Sequence, residues 1–147
     1  MNGKKAVYQF VDRPLVRVRL GNPHAPSAPP IDVPALIDTG ADTSAVSALL
    51  CPLLGHSFEN GISKSAVSGV GKGTIRSCTH STKLTVLFPE ESDVEMPQIF
   101  EPIEFPCKFI EQDLRFVLLG QRDFLRMFRY DQDGHAGWFS LEQIVEC

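Results

Sequence analysis

From Leu15 to Leu20 the residues run Leu-Val-Arg-Val-Arg-Leu, with apolar and charged side chains alternating as in a half-buried strand. A period of two commits this segment to a sheet, because a helix would scatter the same side chains around its axis. The run stops at Gly21-Asn22-Pro23, and the four prolines in residues 21–30 make a loop. Ile31 to Ile37 forms a second apolar run, ended by Asp38-Thr39-Gly40. Further on, Ile62 to Phe88 reads as two strands around a glycine-rich tip, Gly69-Val70-Gly71-Lys72-Gly73, with Leu84, Val86 and Phe88 on one face. Phe116 to Gly120 is a short apolar strand. Asp133-Gly134 and Gly137 predict a final hairpin that places Trp138, Phe139 and Leu141 in the closing strand.

Helix has little room. Ser47 to Leu54 suits a short helix with Gly55 as its C-cap, provided Pro52 sits near an end. Arg122 to Phe128 suits one or two turns, with Phe124, Leu125 and Phe128 facing the core. Pro89 to Pro106 is acidic and holds four prolines, which reads as an exposed excursion within the domain. The 147 residues therefore predict one mainly β domain with about two short helices, and contain no internal repeat.

Composition removes several function classes. A hydrophobic fraction of 43% with 22% charged residues is ordinary for a globular chain. A formal charge of −4 argues against general nucleic-acid binding, which rests on a basic surface. No apolar run reaches the eighteen or so residues of a membrane helix, and residues 6–13 are too short and polar for a secretory leader. The expected location is the cytoplasm. Cys51, Cys78, Cys107 and Cys147 form no C-x-x-C pair, so free thiols are expected. His24, His56, His80 and His135 are equally scattered, which leaves no metal-ligand cluster.

Three segments could carry chemistry. Ser68 to Thr74 looks at first like a phosphate-binding loop. Such a loop needs a glycine where Ala66 stands and a helix directly after it, whereas Thr74-Ile75-Arg76 has a β pattern. Asp131-Gln132-Asp133-Gly134 could open a calcium loop, but the required sixth-position glycine is Ala136. Both fail. The third, Ala35-Leu36-Ile37-Asp38-Thr39-Gly40-Ala41-Asp42-Thr43, carries Asp38 to the end of an apolar strand and presents it on a tight turn. A phosphorylated aspartate would need domains that this length cannot hold, so a carboxylate for acid–base chemistry remains.

The run Leu36 to Thr43, the flap-like Gly69-Val70-Gly71 and Val117-Leu118-Leu119-Gly120 before a short helix occur in an order and spacing similar to those of the retropepsins. These are the single-lobed aspartic proteases of retroviruses and their cellular, including bacterial, relatives. The resemblance covers Pro14 to about Tyr130. It implies a retropepsin-like acid-protease β-barrel with a flap hairpin, and an aspartic endopeptidase that acts on peptides or proteins as a homodimer. It implies no cofactor, metal, nucleic acid or membrane.

By that resemblance Asp38 is catalytic and Thr39 hydrogen-bonds across the dimer axis. Gly40 lets its N–H approach the Asp38 carboxylate. Ala41 and Asp42 contact the substrate main chain, and Gly69, Val70 and Gly71 close over it. Leu119 and Gly120 pack beneath the aspartate loop.

The chemistry agrees. Hydrolysis needs one carboxylate to take a proton from water and one carboxylic acid to protonate the carbonyl oxygen, a division that two adjacent aspartates achieve by sharing one proton. One Asp-Thr-Gly supplies half of that pair, and a two-fold dimer supplies the rest. A non-catalytic peptide-binding or dimerisation domain is the alternative. Many retropepsins carry an arginine after the second glycine to pair with the acid at the Asp42 position; here Gln121 follows Gly120 and Arg122 comes one place later. The Pro89 to Pro106 segment is longer than in compact viral enzymes, and the chain end lacks an obvious match to their interleaved terminal strands.

Overall fold

A computed structural model describes residues 2–60, 63–68, 74–87, 89 and 100–144. Ten strands run in chain order: β1 (Asn2–Gln9), β2 (Leu15–Gly21), β3 (Ile31–Ile37), β4 (Ala45–Ser47), β5 (Ser63–Ser68), β6 (Thr74–Val86), β7 (Ile103–Ile110), β8 (Val117–Leu119), β9 (Phe128–Asp133) and β10 (Trp138–Ile144). The alternation in β2 does what its period requires. Val16, Val18 and Leu20 are buried, while Arg17 and Arg19 point away, with Arg19 gripping Asp32 of β3 through two hydrogen bonds of 2.7 and 3.0 Å.

Seven strands form one sheet in the order β2-β3-β8-β4-β7-β6-β5, and β2 also pairs with β6. That extra pairing, Val18↔Val86 to Gly21↔Lys83, closes β2, β3, β8, β4, β7 and β6 into a six-stranded barrel. Closure removes two sheet edges that would otherwise expose unpaired backbone. The long strand β6 makes it possible: its first half pairs with β5 and β7, and its second half with β7 and β2. Val18, Leu20, Leu84, Val86, Phe109 and Leu119 fill the interior.

A second sheet, β1-β10-β9, covers one side. Tyr8 stacks on Phe139 at 4.9 Å, and its hydroxyl donates to the Leu87 carbonyl at 3.0 Å, tying this sheet to the end of β6. The Gln143 side-chain amide both accepts from Glu101 N–H (2.8 Å) and donates to its carbonyl (3.1 Å), imitating a strand neighbour. β1 has no counterpart in the sequence expectations. Its alternation is weak, and the strand exists because β10 offers a complementary edge.

Three local expectations change. Ser47 to Leu54 is two single turns of 3-10 helix, Ala48–Leu50 and Pro52–Leu54, because Pro52 has no N–H to continue one helix through Cys51. Gly55 does cap it, with φ +72°. Arg122 to Phe128 is a turn followed by one 3-10 turn, Leu125–Met127, while Phe128 already opens β9; Phe124, Leu125 and Phe128 are nevertheless buried as expected. The excursion Pro89 to Pro106 is too long by its last part. Phe100, Ile103 and Phe105 are buried, and residues 103–106 belong to β7. Residues 90–99 lie outside the described residues, as do Ile62, Phe88 and Cys147.

Among the described residues no helix is long and apolar enough to cross a membrane. Cys51, Cys78 and Cys107 are buried and free. Phe139 sits at the centre of the covering sheet, fully buried against Tyr8, Phe10 and Tyr130. Phe139→Ala is expected to cost about 3–5 kcal/mol, read as a lower urea midpoint with an unchanged slope.

Candidate active site

Asp38 follows directly on Ile37, the last residue of β3. β3 runs parallel to β8, with Ile37 opposite Leu119. Asp38 N–H continues that ladder by donating to the Leu119 carbonyl at 3.0 Å, while Ile37 N–H donates to Pro14 O at 3.0 Å on the other side. The carboxylate is thus carried on the end of a rigid parallel pair. The chain then turns sharply, with Ala41 N–H donating to Asp38 O at 3.1 Å and Gly40 N–H to Asp38 Oδ1 at 3.0 Å.

The segment after β8 crosses this loop and braces it. Gln121 N–H donates to Ala41 O at 2.9 Å, and Arg122 N–H to Asp42 O at 2.8 Å. The Gln121 side-chain amide reaches the Thr39 carbonyl at 2.8 Å. The residue at the expected arginine position therefore supports the aspartate loop through its backbone as well as its side chain. Arg122 meets Asp42 by a main-chain hydrogen bond, and no Arg122–Asp42 ion pair forms among the described residues.

Gly120 is where the two segments touch. A Cβ built there would lie 2.5 Å from Thr43 C and 2.7 Å from Thr43 O, against backbone that has nowhere to go. Its N–H donates to Ser44 Oγ at 3.0 Å. Ser44 in turn donates from its hydroxyl (2.7 Å) and its N–H (2.9 and 3.1 Å) to the Asp123 carboxylate. Ser44, Gln121 and Asp123 were not among the expected site residues. Only Gln121 was visible as a departure; Asp123 and Ser44 are separated by 79 positions, and neither lies in a recognisable pattern.

The other expected residues fall as follows. Thr39, Gly40 and Asp42 are exposed on the loop, Asp38 and Ala41 are half-buried, and Leu119 is fully buried beneath. Around Gly40 a Cβ would meet Asp38 Oδ1 at 3.4 Å, so space within one chain does not force glycine there. Gly69, Val70 and Gly71 lie outside the described residues. The arms on either side of them pair antiparallel from Ser63↔Thr79 to Ser68↔Thr74. Two of the thiols are poor nucleophiles: burial pushes Cys51 up to about 11 and raises Cys107 further.

Gly120→Ala forces Cβ into the Thr43 backbone and is expected to cost roughly 1–3 kcal/mol or more. Displacing the aspartate loop should lower any turnover by about 10²-fold. Gly40→Ala should change chain stability by less than about 1 kcal/mol. Urea unfolding of the two variants checks the contrast.

No curated protein matches the chain. Among solved structures, the crystal structure of a retropepsin-like aspartic protease from Rickettsia conorii superposes with a TM-score of 0.62 over 94% of this chain and 98% of that chain, at 13% identity. At that identity the likeness establishes the fold, a single-lobed retropepsin-like barrel. The family described as retroviral aspartyl protease matches residues 11–130, most of the sequence and all of the crossing loops. The chain belongs to the retroviral aspartyl protease family.

Proposed function

We propose that the protein is an aspartic endopeptidase whose active form is a homodimer, with Asp38 of each subunit meeting at the two-fold axis. The observation that carries this reading is the braced Asp38 loop: a half-buried carboxylate on the end of a parallel strand pair, held by Gly40, Gln121 and the Gly120–Thr43 contact. Such rigidity has a use when two carboxylates must be held close enough to share a proton.

In this mechanism one Asp38 is ionised and takes a proton from the attacking water. The other is protonated and donates to the carbonyl oxygen as the tetrahedral centre forms. On collapse the C–N bond breaks and the amine leaves with a proton. The titration belongs to the pair and not to either residue. The exposed Thr39 and Gly40 are the loop residues through which a second copy would approach, Thr39 hydrogen-bonding across the axis. Ala41 and Asp42 would contact the substrate main chain. Gly69, Val70 and Gly71 would form the flap that excludes water. No cofactor or metal enters the scheme.

β1 pairs with the chain's own β10, so this terminal strand has a partner without exchange between subunits. The buried free thiols suit a reducing compartment, and the cytoplasm is the proposed location.

Asp38→Asn keeps the shape of the side chain and removes the acid–base group. Cleavage of a peptide library should fall by at least about 10²–10⁴-fold while folding is retained. A wild-type chain that folds and dimerises but cleaves nothing in that library would instead mark a peptide-binding domain. Because each chain supplies one carboxylate, specific activity should also fall on dilution below the dimer Kd. Constant specific activity in a sample shown by sedimentation to be monomeric would refute the shared site.

A further inference from the structure

The connector between the 3-10 turn Pro52–Leu54 and β5 is fastened to β6 at two points. At its far end, Phe58, half-buried against the core, lies under the Arg76 guanidinium at 5.4 Å, and the exposed Glu59 pairs with the same arginine at 3.5 Å. At its near end the fastening is more enclosed, with His80 buried and His56 half-buried. The rings of His56 and His80 stack at 4.2 Å, 22° from parallel, and both stand edge-on to Phe109 of β7, at 5.4 and 5.5 Å. Nε2 of each ring is buried without a hydrogen-bond partner.

Asn22 determines the protonation state of His56. Its Oδ1 accepts from His24 N–H at 2.9 Å, which fixes the amide orientation, and its Nδ2 donates to Leu54 O at 2.9 Å. The same Nδ2 faces His56 Nδ1 at 3.2 Å. With Nδ2 the donor, Nδ1 must be unprotonated and the ring neutral. A proton added to Nδ1 would set donor against donor, and Asn22 cannot flip without losing both of its backbone bonds. It would also place a charge 4.2 Å, ring centre to ring centre, from a second histidine.

We propose that the stacked His56–His80 pair is an acid-operated latch, closed when both rings are neutral, that fastens the connector entering β5 to the barrel wall. Among the groups around it only the Ser57 backbone, hydrogen-bonded to His80, favours a cation, and nothing does so at His56. His24 approaches from the loop after β2, Cys51 precedes the connector, Cys78 lies on β6, and Cys107 sits opposite His80 on β7. No carboxylate acts on either ring. Nor do the rings suit a metal: stacked planes set their nitrogens side by side, and among the described residues no three His, Cys, Asp or Glu gather to hold one. The proton is the ligand that this geometry senses.

Titration supports the direction. Burial, then the charges of His80 and His24, push His56 down to about 4 from an ordinary 6.5. Burial also lowers His80, against a hydrogen bond with the Ser57 backbone. The closed state therefore binds protons less readily than the open one. Closure is fully favoured above about 6.5 and is lost progressively as pH falls toward about 4.

The test uses the full chain and needs no activity, so it stands or falls apart from the proposed proteolysis. Backbone hydrogen exchange of residues 55–59, corrected for intrinsic rates, should lose on the order of ten-fold or more protection between pH 7.5 and pH 5. Protection of β7 should change less. His56→Gln keeps an acceptor for Asn22 but cannot titrate, and should flatten that response. Equal protection of the wild-type connector at both pH values overturns the latch, as does a full pH response in His56→Gln. Should the variant fail to fold, a ring titration of His56 and His80 in the wild type decides. Titration near 6.5 without loss of connector protection overturns the proposal; titration well below it, accompanied by opening, supports it.

Discussion

The approach of Gly120 to the Thr43 backbone is the contact on which the Asp38 loop depends. Two chain segments cross there with no room for a side-chain carbon between them. Because they cross so closely, Gln121 and Arg122 reach the carbonyls of Ala41 and Asp42, and Ser44 lies within reach of both Gly120 and Asp123. Each of these hydrogen bonds is worth little by itself. Together they remove the freedom that a glycine-containing loop would otherwise have, so that Asp38 is presented in one place.

The barrel serves that crossing. β3 and β8 are short and parallel, which is unusual for strands that must find each other over some 80 intervening residues, and neither would hold its place alone. They are held because β2 closes on β6 and β4 pairs with both β7 and β8. The covering sheet completes the enclosure through Tyr8, Phe139 and Gln143. An exposed loop holds a carboxylate in one place only if the elements carrying it are themselves fixed in the core.

The histidine pair lies on a different part of the same barrel wall and follows the opposite rule. Where the aspartate loop is braced by hydrogen bonds from Gly40, Gln121 and Arg122, His56 and His80 each keep a buried nitrogen without a partner. Such an atom costs stability unless something offsets it, and here the stacking of the two rings on each other and their edge contacts with Phe109 do so. Rigid presentation and conditional fastening thus coexist on strands that share a core.

What the sequence determined alone is what local periodicity and short motifs encode. The period of two in Leu15 to Leu20, the apolar run ending at Asp38 and the last hairpin, which turns over residues 134–137 with Gly137 in the left-handed region, all depend on neighbours within a few residues, and each element forms as expected. The Asp-Thr-Gly triplet was legible for the same reason. What only the tertiary structure decided rests on distant partners. β1 is a strand because β10 is there, Ile103 and Phe105 are core because β6 runs alongside, and Asp123 matters because Ser44 folds back onto it. Asn22 and His56 read as loop residues in the sequence; they become a protonation sensor only when the fold buries Asn22 and sets its amide against the half-buried His56 ring.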